Sequence, residues 1–178
     1  MCIRDRHILS HGTYEPFEIP NTSDTNKVLP LVYKGGLFDT IMKGKFKHVY
    51  KYDVNSMYPY FSSQLPKVER VKFVKLDRPI NLSQFMGGET YFEKGVINDN
   101  CKRVYILFGD FYGYKPTTVI KVGSMSVRVK RQYNNAVFDF ELNDTYKGWV
   151  KSYFVLDIDP KEKPLHHLVD MYKELSLI

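Results

Sequence analysis

Tyr50-Lys51-Tyr52-Asp53-Val54-Asn55-Ser56-Met57-Tyr58-Pro59-Tyr60 is the stretch on which the reading of this chain turns. The residues before it, from Phe46 to Val54, are rich in aromatic and β-branched side chains and partly alternate, which predicts a strand. Asn55-Ser56 breaks that pattern. Met57 to Leu65 is then a predicted helix, with Ser56 as its N-cap and Pro59 in the first turn, where proline is tolerated. Such a junction presents a carboxylate at a strand end to a hard cation and backbone N–H groups to phosphate. The Val54 carbonyl lies beside the Asp53 carboxylate as a second oxygen ligand. Ser56 and the amides after it come within reach of phosphate oxygens, and Tyr58 offers a flat wall to a sugar ring. A bare strand–Asp–turn–helix pattern is more often an Asx turn that caps a helix, so the identity of the string carries the weight.

Around this stretch the chain reads as one globular α+β unit. Its 178 residues suffice for a real core, and 43% apolar with 26% charged residues are globular values. No apolar run approaches the ~18 residues of a membrane helix, and no apolar signal segment follows the N-terminal charges. No membrane partner is therefore expected. The net charge of +6 suits a polyanionic partner, nucleic acid being the commonest. Cys2 and Cys101 form neither a disulfide framework nor a zinc spacing, so a reduced, intracellular setting is expected. Strands are predicted over Val71–Leu76, Arg103–Phe108, Thr117–Val122, Ser126–Val129, Ala136–Phe140 and Trp149–Asp157. Gly113, Gly123 and Asn134-Asn135 read as turns. His7 to Asn26 reads as a loop or linker, and Leu29 to Tyr33 as a short apolar stretch. Asp77 to Glu93 reads as a loop, and Leu142 to Lys147 as a short helix ended by Gly148. Pro164 to Leu175 reads as an amphipathic helix.

Asp53-Val54-Asn55-Ser56-Met57-Tyr58-Pro59 closely resembles the first polymerase motif of family B DNA polymerases, D-x-x-S-L-Y-P, with Met57 in place of the usual Leu, a near-isosteric exchange. Tyr33-Lys34-Gly35-Gly36, 20 residues upstream, resembles the Y-x-G-G motif that joins exonuclease and polymerase domains in the protein-primed branch. Phe138 to Leu142, Tyr153 to Asp157 and Pro164 to Leu175 loosely resemble the run into the fingers helix of those enzymes. The resemblance implies a palm-type antiparallel sheet with flanking helices, incomplete in this chain. It implies two Mg2+ ions bound through Asp53 and the Val54 carbonyl, with Asp53 catalytic. Ser56, Met57 and Tyr58 would bind the incoming dNTP, and Tyr33, Gly35 and Gly36 the template strand. Template-primer DNA is the implied partner, with a terminal protein as the initial primer. The setting it implies is a phage, a virus or a linear organellar plasmid, hence host cytoplasm or organelle.

The family's K-x-x-x-N-S-x-Y-G and D-T-D motifs do not occur in the chain. Two-metal transfer needs both aspartates, so the isolated chain is expected to be inactive. Residues 7–32 are expected to be a linker from an exonuclease domain, and residues 33–178 a partial polymerase domain comprising palm and the start of fingers. Met1-Cys2-Ile3-Arg4-Asp5-Arg6 matches the translation of a transposase adapter used in shotgun sequencing and is read as an artefact.

Lys121, Arg128, Lys130 and Arg131 form the best basic cluster. Strand alternation would put Arg128 and Lys130 on one face, toward DNA or as a solvated surface. Asp110, Asp139 and Asp157-Ile158-Asp159 lack the D-T-D context, and surface, turn or strand-end roles are expected for them. Two alternatives stay open: a non-catalytic basic DNA-binding remnant of a mobile element, and an unrelated nucleotide- or metal-binding domain in which Asp53 is only a cap.

Overall fold

The computed structural model describes residues 17–33, 43–53, 57–86, 102–113, 119–122, 125–128 and 132–171. In chain order these form α1 (Ser23–Val32), α2 (Met57–Ser63), β1 (Lys67–Asn81), α3 (Leu82–Met86), β2 (Arg103–Gly113), β3 (Val119–Val122), β4 (Met125–Arg128), β5 (Gln132–Phe138), a 3-10 turn (Asp139–Glu141) and β6 (Lys147–Asp159). The α+β class expected from the sequence is observed. β1, β6, β2 and β5 make one antiparallel sheet in that order, and β3 pairs with β4 in a separate hairpin.

The central strand β2 explains the architecture. Val104 to Phe108 are all buried, and a strand apolar at every position must be covered on both faces. On one face Leu107, Phe111, Val137 and Val150 pack with Leu82 of α3 and with Leu142 and Tyr146 from the turn before β6. On the other, Ile106, Phe108, Ala136 and Phe154 meet Val28, Leu29 and Val32 of α1. An ion pair from Lys75 on β1 to Asp24 fixes the same helix to the sheet edge at 3.2 Å. The first and last residues of the sheet are neighbours: Lys67 opposes Asp159, and the Lys67 N–H donates to the Glu162 carbonyl at 2.9 Å.

Several local expectations are corrected. Ser23–Val32, read as the end of a loop and an apolar stretch, is a helix. Thr22 and Thr25 close a capping box at its start, and the Thr25 hydroxyl also donates to the Pro20 carbonyl. Pro30 falls late in this helix, where only one bond is lost. The expected loop at Asp77 is strand to Asn81 and helix to Met86. Pro79 is accommodated because β1 is an edge strand. Asn134 and Asn135 lie inside β5 rather than in a turn. The expected helix at Leu142 is replaced by the 3-10 turn and by a turn in which the Asn143 carboxamide accepts from the Thr145 N–H. Gly148 ends no helix. It sits in β6 at φ +148°, where a Cβ would lie 1.9 Å from the Asp110 carbonyl oxygen. Of the helix expected from Pro164, residues 164–167 form turns, residues 168–171 are helical, and the remainder lies outside the described residues.

Candidate functional site

The segment that carries Asp53 departs most from expectation. Residues 46–53 are not a strand: all of residues 43–53 are exposed and outside any ladder. A β-prone sequence becomes a strand only when a neighbour supplies the hydrogen bonds and a surface to pack on. None of the four strands of the sheet does so here: among the described residues β1 pairs only with β6 and β5 only with β2. Asp53 therefore lies on an exposed stretch between α1 and β1, not at the end of a sheet strand.

The helix expected after the turn is present. α2 runs Met57–Ser63, with Pro59 in its first turn and the Ser63 hydroxyl donating to the Tyr60 carbonyl. Met57 and Tyr58 are exposed, Tyr58 at 76%, and Tyr60 and Phe61 meet edge to face at 5.4 Å. Val54, Asn55 and Ser56, which were to supply the carbonyl ligand and the cap, lie outside the described residues. Tyr33 follows α1 directly and is 87% exposed. Gly35 and Gly36 lie outside the described residues. None of Tyr33, Asp53, Met57 and Tyr58 belongs to either core of the sheet. Among the described residues no group of three or more His, Cys, Asp or Glu side chains is placed to hold a metal ion. Asp53 is a hard oxygen donor of the right chemical kind for Mg2+, outside any such group among the described residues.

The basic cluster is placed in part. Arg128 is the last residue of β4, opposite Val119, and Lys121 opposes Ser126. Lys130 and Arg131 lie outside the described residues.

The other acidic residues have structural partners. Asp110 pairs with Lys151 at 2.9 Å. Asp157 accepts from Arg70 and Arg103 at 3.1 and 3.0 Å, across β1, β6 and β2. The Arg103 guanidinium is held more firmly charged by that hydrogen bond. Asp139, expected in a surface or turn role, is only 4% exposed. Burial pushes its carboxyl up to about 6, although backbone N–H groups of Tyr105 and Phe140 donate to it. Sequence reasoning missed this burial. The available signal was the position of Asp139 between Phe138 and Phe140, directly after the apolar run Ala136-Val137-Phe138.

No family model matches the chain, and no solved structure matches it. The chain is similar to a DNA polymerase of Acidianus bottle-shaped virus (isolate Italy/Pozzuoli), with 40% identity over 117 residues. The match covers 65% of this chain and spans 16% of the length of that protein. Sequence motif and relative therefore agree at the coarser level: this chain is similar to part of a viral DNA polymerase.

Proposed function

We propose that this chain is part of a DNA-directed DNA polymerase of the protein-primed family B type. The observation that carries the reading is the 40% identity to a viral DNA polymerase, in a chain that also holds the string Asp53 to Pro59. The reaction joins the primer 3′-hydroxyl oxygen to the α-phosphorus of a dNTP. The bond from that phosphorus to the bridging oxygen breaks, and pyrophosphate leaves.

Mg2+, when bound, supplies charge neutralisation at the triphosphate and acidifies the attacking hydroxyl. Asp53 and the Val54 carbonyl are the groups of this chain that would hold it. Ser56 and Met57 hold the triphosphate, and the Tyr58 ring lies against the sugar, where it excludes a 2′-hydroxyl. Tyr33, Gly35 and Gly36 lie along the template strand, and Arg128 and Lys130 neutralise phosphates. The partners are template-primer DNA, dNTP and a terminal protein, and the site of action is the host cytoplasm or an organelle.

The reading frame of the source DNA beyond Ile178 tests this first. Continuation into K-x-x-x-N-S-x-Y-G and then D-T-D sustains it, and a stop codon there ends it. In the protein encoded by the full frame, Asp53→Ala is expected to lower primer extension by several orders of magnitude, while the far-UV spectrum and melting temperature stay unchanged. The 178-residue chain alone is expected to extend no primer.

A further inference from the structure

The end of the sheet remote from Lys67 and Asp159 presents an aromatic and basic surface that the catalytic reading does not use. Tyr112 on β2 is the Cα partner of both Tyr133 on β5 and Lys147 on β6, so these three side chains form one row across three strands. Two residues along, Asp110 opposes Trp149, which places this pair on the same face as the row. The Tyr112 and Tyr133 rings lie 4.7 Å apart between centroids, tilted by 43°. Tyr133 is 80% and Trp149 51% exposed, and Lys147 and Lys151 are exposed beside them. The acidic residue of the patch, Asp110, is neutralised by Lys151. From this end the chain leaves at Gly113 and returns at Gln132, and the intervening hairpin carries Lys121 and Arg128 in its strands.

We infer that this patch binds single-stranded DNA, with bases stacked on Tyr133 and Trp149 and phosphates held by Lys147. Large rings gathered in water on one sheet face mark a surface that binds something. The chemistry around these rings selects the cover. They are interleaved with lysines rather than aliphatic side chains, in a chain of net charge +6. A protein partner favours an apolar centre depleted of Lys, whereas an unpaired nucleic-acid strand offers π-faces and phosphates together. A duplex keeps its base faces stacked and hidden, which favours the single strand. The choice of DNA over RNA rests on the polymerase reading above; the stacking surface itself does not.

Trp149 is the only tryptophan of the chain, so its fluorescence reports directly on the patch. Titration of the 178-residue protein with oligothymidylate is expected to quench this emission saturably, with affinity falling steeply as salt rises. Tyr133→Ala is expected to weaken binding about tenfold with an unchanged far-UV spectrum, and Tyr133→Phe to bind as the parent does. Absence of quenching, equal affinity of Tyr133→Ala and parent, or tighter binding of a duplex of the same length would each overturn the inference. So would a self-association that Tyr133→Ala abolishes in a protein that does not bind the oligonucleotide. Asp53→Ala is expected to retain full oligothymidylate binding. Quenching is read in this chain and primer extension in the protein encoded by the full frame, so loss of either with the other intact separates the fate of this proposal from that of the catalytic one.

Discussion

Residues 67–159 and residues 43–63 follow opposite rules. The first region is a sheet whose central strand β2 is buried on both faces, whose first and last residues are tied together at Lys67, Asp159 and Glu162, and which contains none of Tyr33, Asp53, Met57 and Tyr58. The second contains Asp53, Met57 and Tyr58, and it leaves Tyr50, Tyr52, Tyr58 and Phe61 in solvent. The contrast teaches that the residues that point to a function and the residues that hold this fold are separate sets. Sheet residues are fixed by what they pack on. Among the described residues, the Asp53 segment pairs with no strand of the sheet and joins neither of its cores. If so, stability should respond to the sheet and be almost indifferent to the motif.

The sharpest way to break this comparison is at the crossing of β2 and β6. Gly109 and Gly148 let the two strands approach where the register shifts. A Cβ on Gly109 would lie 1.9 Å from the Trp149 carbonyl oxygen, and Gly148 meets Asp110 as closely. The obstruction is backbone on both sides, so no side-chain rotation relieves it. Gly148→Val also forces a β-branched residue to φ +148°. An unfolding free energy lowered by about 3 kcal/mol or more is expected in urea titration. A loss under about 1 kcal/mol would mean that the two strands are not held at this distance.

The two regions also differ in how they keep their carboxylates. Asp139 is buried beside β2, with a carboxyl pushed up to about 6 by desolvation, whereas Asp53 is exposed. In the unfolded chain Asp139 would titrate near 3.8. Between these values the folded protein holds a proton that the unfolded one has released. The contribution of Asp139 to stability is therefore greatest below about pH 4, falls as pH rises to about 6, and levels off above it. A shift of this size corresponds to about 2–3 kcal/mol. Asp139→Asn cannot titrate, so the difference in stability between variant and parent should change by that amount between pH 4 and 7, in favour of the variant at the higher pH. Parallel stability curves would show that Asp139 does not titrate from a buried site.

How much was legible in the sequence follows the same division. Strands whose side chains alternate or run apolar against a neighbour were readable, as with Arg103 to Phe108 and Trp149 to Asp157, although each runs further than read. The close approach at Gly109 and Gly148 was not readable, because a glycine that admits a neighbouring backbone looks like a turn until the partner strand is known. α1 was obscured by Pro30 and by a polar first turn, whose Thr22–Thr25 box is a cap rather than a loop. The strand expected at Phe46 failed for the converse reason: its composition is strand-like, and no neighbour in the described structure completes it. The motif string itself was legible because its identity depends on residue order and not on packing, and the similarity to a viral polymerase agrees with it.

The smallest expected effect gives the cleanest measure of the contrast. Tyr52 is 89% exposed in the segment that precedes Asp53. Leu107 is fully buried at the centre of the sheet. Truncation of Leu107 to Ala removes packed methyl groups and leaves a cavity, a loss of about 2–5 kcal/mol. The Tyr52→Ala truncation removes a larger side chain and should change stability by no more than about 0.5 kcal/mol, because a ring already in water gains nothing from folding. Side-chain size alone would rank the two substitutions the other way. Chemical denaturation of both variants of this chain therefore isolates burial as the cause. A loss above about 1 kcal/mol for Tyr52→Ala would show that the segment is packed in solution and that the Asp53 carboxylate is held in place by contacts within this chain.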